Sequence, residues 1–266
     1  MAALGSFGNL LLNENMKVFR RVRTWIMLAI LVLISLLMPV LMREGMGSSD
    51  TLFWQPAATT VQIAFFLNTI FCVVIAAETV AGEFTWGTIK LLLIRPWSRS
   101  KILASKYLTV VGFSILSTLL VIGMAMLSSY ILFSHEVSVD RSIIAADAFT
   151  RWGYLYIDLF ITLAIAFMVS SVFRSGALAI GLSLFIMFTQ NIFSLIFNPD
   201  RYEWAKYVLF NNMNLSKYMN SSSDMGLMNG ASEGMTLGFS LAVLAAYYVI
   251  FMVISWVVFN KRDVAG

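Results

Sequence analysis

Long apolar runs alternate with short polar ones along the whole chain, and six of the runs reach the length that a membrane-crossing helix needs. A helix rises about 1.5 Å per residue, so about 20 mainly apolar residues cross a hydrocarbon core of roughly 30 Å. The pattern predicts spans at Trp25–Met42, Ala57–Ala77, Tyr107–Phe133, Trp152–Phe173, Ala177–Phe197 and Thr236–Phe259. Only Arg174, Ser175 and Gly176 separate the fourth span from the fifth, which predicts a tight antiparallel hairpin. Small residues four apart, Ala177 and Gly181 or Ser175, Ala179 and Ser183, would let another helix approach closely, although small residues are also common in membrane helices at large. Before the first span, Phe7–Arg23 places Phe7, Leu11, Leu12, Met16, Val18, Phe19 and Val22 on one half of a helix. Asn9, Asn13, Glu14, Lys17, Arg20 and Arg21 fall on the other half, with Leu10 and Asn15 out of pattern. The segment reads as an amphipathic helix on the membrane surface or as a basic flank that fixes orientation. The expected fold class is an all-α integral membrane protein, with residues 1–266 forming one transmembrane domain.

Composition strengthens this reading. Of 266 residues, 59% are hydrophobic and 12% charged, against about 45–50% and about 25% in soluble domains, which excludes an ordinary soluble enzyme. Cys72 is the one cysteine and lies in a predicted span, so neither a disulfide framework nor a cysteine-based metal site is expected. The first span is too long for a signal-peptide core and no A-x-A-like site follows Met42, so it is expected to be retained. Lys17, Arg20, Arg21, Arg23, Lys90, Arg95, Arg99, Lys101, Lys106, Arg174, Lys261 and Arg262 fall on one side of the six spans. Because cytoplasmic segments retain Lys and Arg, both termini are expected in the cytoplasm. The net charge of +4 then reflects topology and calls for no nucleic-acid partner.

The most informative segment is the cytoplasmic connection Glu78–Lys106, ETVAGEFTWGTIKLLLIRPWSRSKILASK. Pro96 disfavours helical geometry at Arg95, so a helix through Thr88–Ile94 should stop there and the chain should turn. Leu91, Leu92, Leu93 and Ile94 are too apolar to stand in water and should pack against the membrane surface or another protein. Glu78, Gly82, Glu83, Gly87 and Thr88, followed by Arg95, Pro96, Arg99 and Lys106, spell E-x-x-x-G-E-x-x-x-G-T and R-P-x-x-R-x-x-x-x-x-K. This pattern resembles the first cytoplasmic loop of type-two ABC exporter permeases, and the layout of six spans resembles that family over essentially the full chain. The resemblance implies a permease subunit that pairs with a second permease copy and binds two cytoplasmic ATPase subunits, which would hold the ATP and magnesium. It implies that the connection carries a coupling helix, with Glu78, Glu83, Gly87, Thr88, Lys90, Arg95, Pro96 and Arg99 as its coupling residues. Read from the residues alone, Glu78 and Glu83 are also acids at a helix end, solvated or paired with Lys90 or Arg20.

The chain has no G-x-x-x-x-G-K-[ST] phosphate loop, so nucleotide chemistry would belong to another chain and this one is not expected to be an enzyme. His135 stands alone beside Glu136 in an external loop and reads as a surface residue. Asp158 is the acid set deep in a span; it would reach water or Arg151, or contact a cationic substrate. Gln62, Asn68 and Thr69 in the second span, and Gln190 and Asn191 in the fifth, either line a substrate path or hydrogen-bond neighbouring helices. The resemblance favours spans two and five as flanking a central cavity and Asn198–Met235 as an external cap. Tyr202, Trp204, Tyr207 and Phe210 suggest short interfacial helices there, ahead of a flexible Ser/Gly/Asn stretch. The expected cargo is amphipathic, with hydrophobic peptides or peptide antibiotics ahead of lipids or drugs. That would make the chain an antimicrobial peptide resistance factor of a bacterial plasma membrane. A secondary transporter or a non-transporting sensor or assembly subunit are the competing classes.

Overall fold

The computed structural model describes residues 2–46, 52–88, 97–133, 141–173, 175–199, 201–219 and 235–261. Among them the regular elements are helical: α1 (Ala2–Phe19), α2 (Val22–Met46), α3 (Trp54–Thr85), α4 (Arg99–Leu132), α5 (Arg141–Val172), α6 (Gly176–Ile196), α7 (Leu209–Met213) and α8 (Leu237–Lys261). Two 3-10 turns, Glu203–Tyr207 and Leu215–Tyr218, flank α7. Five of the helices, α2, α3, α4, α5 and α8, are long and apolar enough to cross a membrane. α6 is a shorter apolar helix of 21 residues. Bare side chains such as Leu119, Phe185, Leu195 and Val249, each more than half exposed, are what lipid solvates and water does not. The chain is a multi-pass helical membrane protein.

Helices run beyond several predicted spans. α3 continues past Ala77 to Thr85, α4 begins at Arg99 rather than near Tyr107, and α5 begins at Arg141 rather than Trp152. Polar residues end an apolar run without ending a helix, because the helix stops only where a proline, a glycine at positive φ or a competing cap intervenes. Arg174, the helix expected through Ile94, His135 and the Ser/Gly/Asn stretch after Met219 lie outside the described residues, apart from Thr88.

The chain divides into two compact units, Met1–Ile75 with Ala104–Trp152, and Ala76–Leu103 with Gly153–Gly266. In the first, Leu31 of α2, Ala64 of α3 and Val121 of α4 form a fully buried apolar cluster. Pro39 sits inside α2. Proline has no N–H, so the carbonyl four residues earlier, that of Ser35, loses its helical donor. The Ser128 hydroxyl of α4 donates to that carbonyl at 3.0 Å, and both residues are buried. In hydrocarbon, where no water can substitute, such a replacement is close to obligatory.

α1 ends at Phe19, where the Thr24 hydroxyl donates to the Val18 carbonyl (2.7 Å) and the Trp25 indole to the Phe19 carbonyl (2.8 Å). These bonds occupy carbonyls that a helix end leaves without donors. α1 turns Leu10 and Glu14 inward and leaves Leu12 and Met16 exposed. Leu10, out of pattern in the sequence, therefore belongs to the inward face. Glu14 accepts from Lys17 on one oxygen (2.7 Å) and from Lys106 of α4 on the other (2.8 Å). Lys106 is 1% exposed, and a buried ammonium without a counter-charge would be strongly destabilising.

Two outcomes are expected. Glu14→Gln should destabilise the detergent-solubilised protein by about 3 kcal/mol, as for one lost partner of a buried pair, while Glu14→Gln combined with Lys106→Met recovers most of the loss in thermal melts. Ser128→Ala should cost about 1 kcal/mol in the natural background and almost nothing beside Pro39→Ala, where Ser35 regains a helical donor.

Candidate functional site

The end of α3 carries the first half of the sequence motif. Trp86 N–H donates to the Gly82 carbonyl (2.9 Å) and Gly87 N–H to the Phe84 carbonyl (3.2 Å), closing the last turn. Gly87 has φ +68°, the left-handed conformation that commonly terminates a helix and that a side chain resists. A Cβ there would meet no other atom, so the demand for glycine is one of backbone conformation. Past the turn, the Thr88 hydroxyl folds back and donates to the buried carboxylate of Glu83. The spacing G-E-x-x-x-G-T is thus a helix stop in which the acid, the glycine and the threonine form one device. Glu78, one and a half turns before Glu83, is half-buried. Trp86 is 76% exposed beside this stop. Lys90, Arg95 and Pro96 lie outside the described residues.

Further hydrogen bonds hold both ends of the connection within the second unit. The buried Ser170 hydroxyl of α5 accepts from Val80 N–H (3.1 Å) and Ala81 N–H (3.0 Å) and donates to the Ala77 carbonyl (2.6 Å). Hydroxyls set against a helical ladder in this way mark positions where helices bend. Thr85 accepts from the Gly176 N–H that opens α6 (2.9 Å) and donates to the Ala81 carbonyl (3.0 Å). Where the chain returns, Arg99 donates to the Asn260 carbonyl near the end of α8 (3.1 Å), and the Trp256 indole donates to the Ser100 hydroxyl (2.9 Å). Both ends of the connection are therefore tied to α5, α6 or α8.

The residues expected to line a path separate into different settings. Gln62 is exposed on α3, and Thr69, half-buried, donates to its own helix at Phe65 (2.9 Å). Asn68 is fully buried and donates to Thr118 of α4 (3.1 Å), with Cys72 beside it at 3.6 Å from the Asn68 amide oxygen and from Ser117. That cluster packs α3 to α4. Gln190 of α6 lines a cavity in the second unit together with Asp158; the Asn191 side chain is not among those described.

The cavity, of about 310 Å³, is bounded by Tyr154, Leu155 and Asp158 of α5, Gln190 and Ser194 of α6, and the segment from Pro199 to Lys217. That segment is pinned by two asparagines the sequence reading did not single out. Asn211 donates to the carbonyls of Phe197 and Ala205 (2.7 and 2.8 Å), and Asn212 to those of Lys206 and Val208 (2.8 and 2.9 Å). Ser240 of α8 donates to the Asn212 amide oxygen (2.7 Å) and meets the Tyr218 hydroxyl at the same distance. Lys217 donates to the Asn211 carbonyl (2.6 Å), and burial lowers its ammonium from the ordinary lysine value.

A family model described as "Protein of unknown function (DUF2705)" matches residues 25–265. The chain belongs to that family. Among curated proteins, this DUF2705 chain is 36% identical over 213 residues to "Uncharacterized protein YhcI" of Bacillus subtilis (strain 168). That match takes in 75% of the chain and 66% of the relative's length. It is 27% identical over 251 residues to "Uncharacterized membrane protein YdbK" of the same organism, covering 94% of the chain and 99% of the relative. It is also 25% identical over 229 residues to "Probable ABC transporter permease protein NosY" of Stutzerimonas stutzeri, covering 77% and 79%. A weak homology to an ABC permease thus accompanies the membrane-protein relatives.

The Ser170 contact generates a local expectation. Ser170→Ala should raise amide hydrogen exchange in residues 76–85 and lower stability by about 1–3 kcal/mol, the range for orphaned buried polar groups. Ser171→Ala, next in sequence but bonded to its own helix at Phe167, should leave that exchange unchanged.

Proposed function

We propose that this chain is the permease subunit of an ATP-driven exporter, with six spans, both termini in the cytoplasm and a coupling segment between α3 and α4. In this reading it lies in a bacterial plasma membrane, pairs with a second permease subunit, and binds two ATPase subunits that hold ATP and magnesium. α6 is then the fifth span and crosses as a minimum-length helix, its 21 residues measuring about 30 Å. The observation that carries the proposal is the tethering of the α3–α4 connection at both ends, by Thr85, Ser170, Arg99 and Ser100, to three membrane helices. A partner that pushes or pulls on such a connection moves helices directly. The 25% identity to a probable ABC permease supports the same assignment.

Glu83, Gly87 and Thr88 shape the helix stop that aims the connection, with Glu78 on the same stretch of helix. Lys90, Arg95 and Pro96 belong to the part that meets the ATPase. Arg99 anchors the return to α8. Trp86 adds an exposed aromatic of the kind that anchors interfaces. Gln62, Thr69, Gln190 and Asn191 remain the polar groups proposed for the substrate path, whereas Asn68 serves helix packing. The proposed cargo is a hydrophobic peptide or peptide antibiotic, with lipids or drugs as the other amphipathic classes.

Coexpression with an ATPase carrying a phosphate loop tests the assignment. The purified chain alone should show no ATP hydrolysis, and the copurified complex should hydrolyse ATP. Glu83→Ala and Arg95→Glu should each weaken ATPase binding about tenfold or more, as for a central interface contact, while the protein still inserts. Normal ATPase affinity and normal transport in both variants would overturn the coupling assignment. For topology, cysteine at Ser222 should react with an impermeant thiol reagent in intact cells and cysteine at Ser98 should not; buried Cys72 gives little background. The reverse labelling would refute the orientation.

A further inference from the structure

Asp158 stands out in the second unit. Its Oδ1 is buried and has no hydrogen-bond partner among the described residues. A carboxylate within an apolar span is costly unless a donor or cation meets it. What lies beside it is the cavity of about 310 Å³, near the lower end of the range of small-ligand pockets, about 300–1,000 Å³. The same cavity is lined by a cation, Lys217. The lysine is not a mobile surface charge: its ammonium is held by the Asn211 carbonyl, and Asn211 is itself fixed by two carbonyls of the same segment. An ammonium has three N–H donors; the Asn211 carbonyl takes one and the Met235 sulfur, at 4.0 Å, meets a second, which leaves one for a ligand. Gln190, Ser194 and Tyr154 add neutral polar groups to the same lining.

We propose that this cavity binds the headgroup of a zwitterionic aminophospholipid, with the lipid's primary ammonium donating to Asp158 and its phosphate accepting from Lys217. A negative and a positive group on one small cavity match a small zwitterion better than a simple cation or a simple anion. A lipid source follows from the surroundings. Asp158 lies 15 residues before Phe173, about 22 Å along a helix, and so past the midplane of a core roughly 30 Å thick, on the side remote from α6's start. The segment from Pro199 to Lys217 that lines the same cavity follows the far end of α6, and irregular backbone of this kind belongs outside the hydrocarbon. Ile192, Leu195 and Ile196, within a turn of Gln190 and Ser194 on α6, are each more than half exposed and offer acyl chains a surface outside the cavity. Trp204 and Tyr207, also more than half exposed, are the aromatic types that sit at headgroup level. The proposal concerns a resident lipid and does not rest on the exporter reading.

The test uses the full chain, delipidated in mild detergent, with native mass spectrometry and thermal melts as readouts. The probes are dioctanoyl phosphatidylethanolamine, phosphatidylcholine and phosphatidylglycerol. Phosphatidylethanolamine should bind and raise the melting temperature. Phosphatidylcholine, whose quaternary nitrogen has no N–H, and phosphatidylglycerol, which has no ammonium, should each bind at least tenfold more weakly. Asp158→Asn should remove that selectivity while leaving the lipid-free melting temperature equal or higher, since a buried charge is gone. Lys217→Gln should weaken phosphatidylethanolamine binding at least fivefold, and it tests the site independently if Asp158→Asn does not accumulate. Equal binding of the three lipids, or unchanged selectivity in both variants, overturns the proposal. Competition by soluble phosphoethanolamine at the same concentration as the lipid overturns the lipid source in favour of a free zwitterion. Displacement of bound lipid by a lysine-rich peptide that binds tighter than any lipid overturns it in favour of a cationic peptide.

Discussion

The structure depends on one constraint: inside a bilayer a backbone N–H or C=O that leaves its helical ladder must find a partner within the protein. Pro39 frees the Ser35 carbonyl, and Ser128 takes it. The opening of α6 needs an acceptor for Gly176 N–H, and Thr85 provides one. The end of α8 exposes the Asn260 carbonyl, and Arg99 reaches it. The irregular chain between Ile196 and Leu237 has many unladdered carbonyls, and Asn211 and Asn212 take four of them. Much of the polar inventory of this apolar chain is spent repairing its own backbone. These repairs also determine which helices are joined, because most of them cross from one element to another.

The same constraint separates structural polar residues from those available for chemistry. Asn68, fully buried and bonded to Thr118, is committed to packing. Asp158 is not committed in this way at Oδ1, and it borders an open space rather than a neighbouring helix. Polarity within a span is therefore a poor guide to function on its own; what counts is whether the group's hydrogen-bonding capacity is already used. In the motif at the end of α3, Thr88 is bonded to Glu83 and Gly87 supplies the only backbone conformation of its kind among the described glycines. A string recognisable in sequence here has a compact mechanical meaning.

Apolar run length made the helical membrane character legible, and five of the long helices fall where the runs are. Helix ends were less legible, because a hydropathy pattern reports where lipid begins and a helix continues until something stops it. α4 starts at Arg99 and α5 at Arg141 for that reason. Glu14 read as part of the polar half of an amphipathic helix and Lys106 as the last position of the loop motif; their partnership crosses from α1 to α4 and leaves no local periodicity to detect. Leu10 did leave a trace as the apolar residue out of pattern, four before Glu14 on the face that turns inward. Ser170 looked like any small residue in a span, and only the neighbouring turn of α3 gives its hydroxyl a purpose. The acid deep in the fourth span was visible, while the cation that shares its cavity came from a loop some sixty residues on.

The bridge between Glu14 and Lys106 joins residues 92 apart in sequence, and this has a consequence for biogenesis. A ribosome adding about 5–20 residues per second needs roughly 5–20 seconds to reach Lys106 after Glu14 has been made. During that interval α1 has its inward-facing carboxylate and no α4 to receive it. Until the start of α4 has been made, Glu14 has Lys17 of its own helix as its cationic partner and lacks the second. Completion of the α1 contact is therefore a late event, and it reports that α4, the third long apolar helix, has arrived.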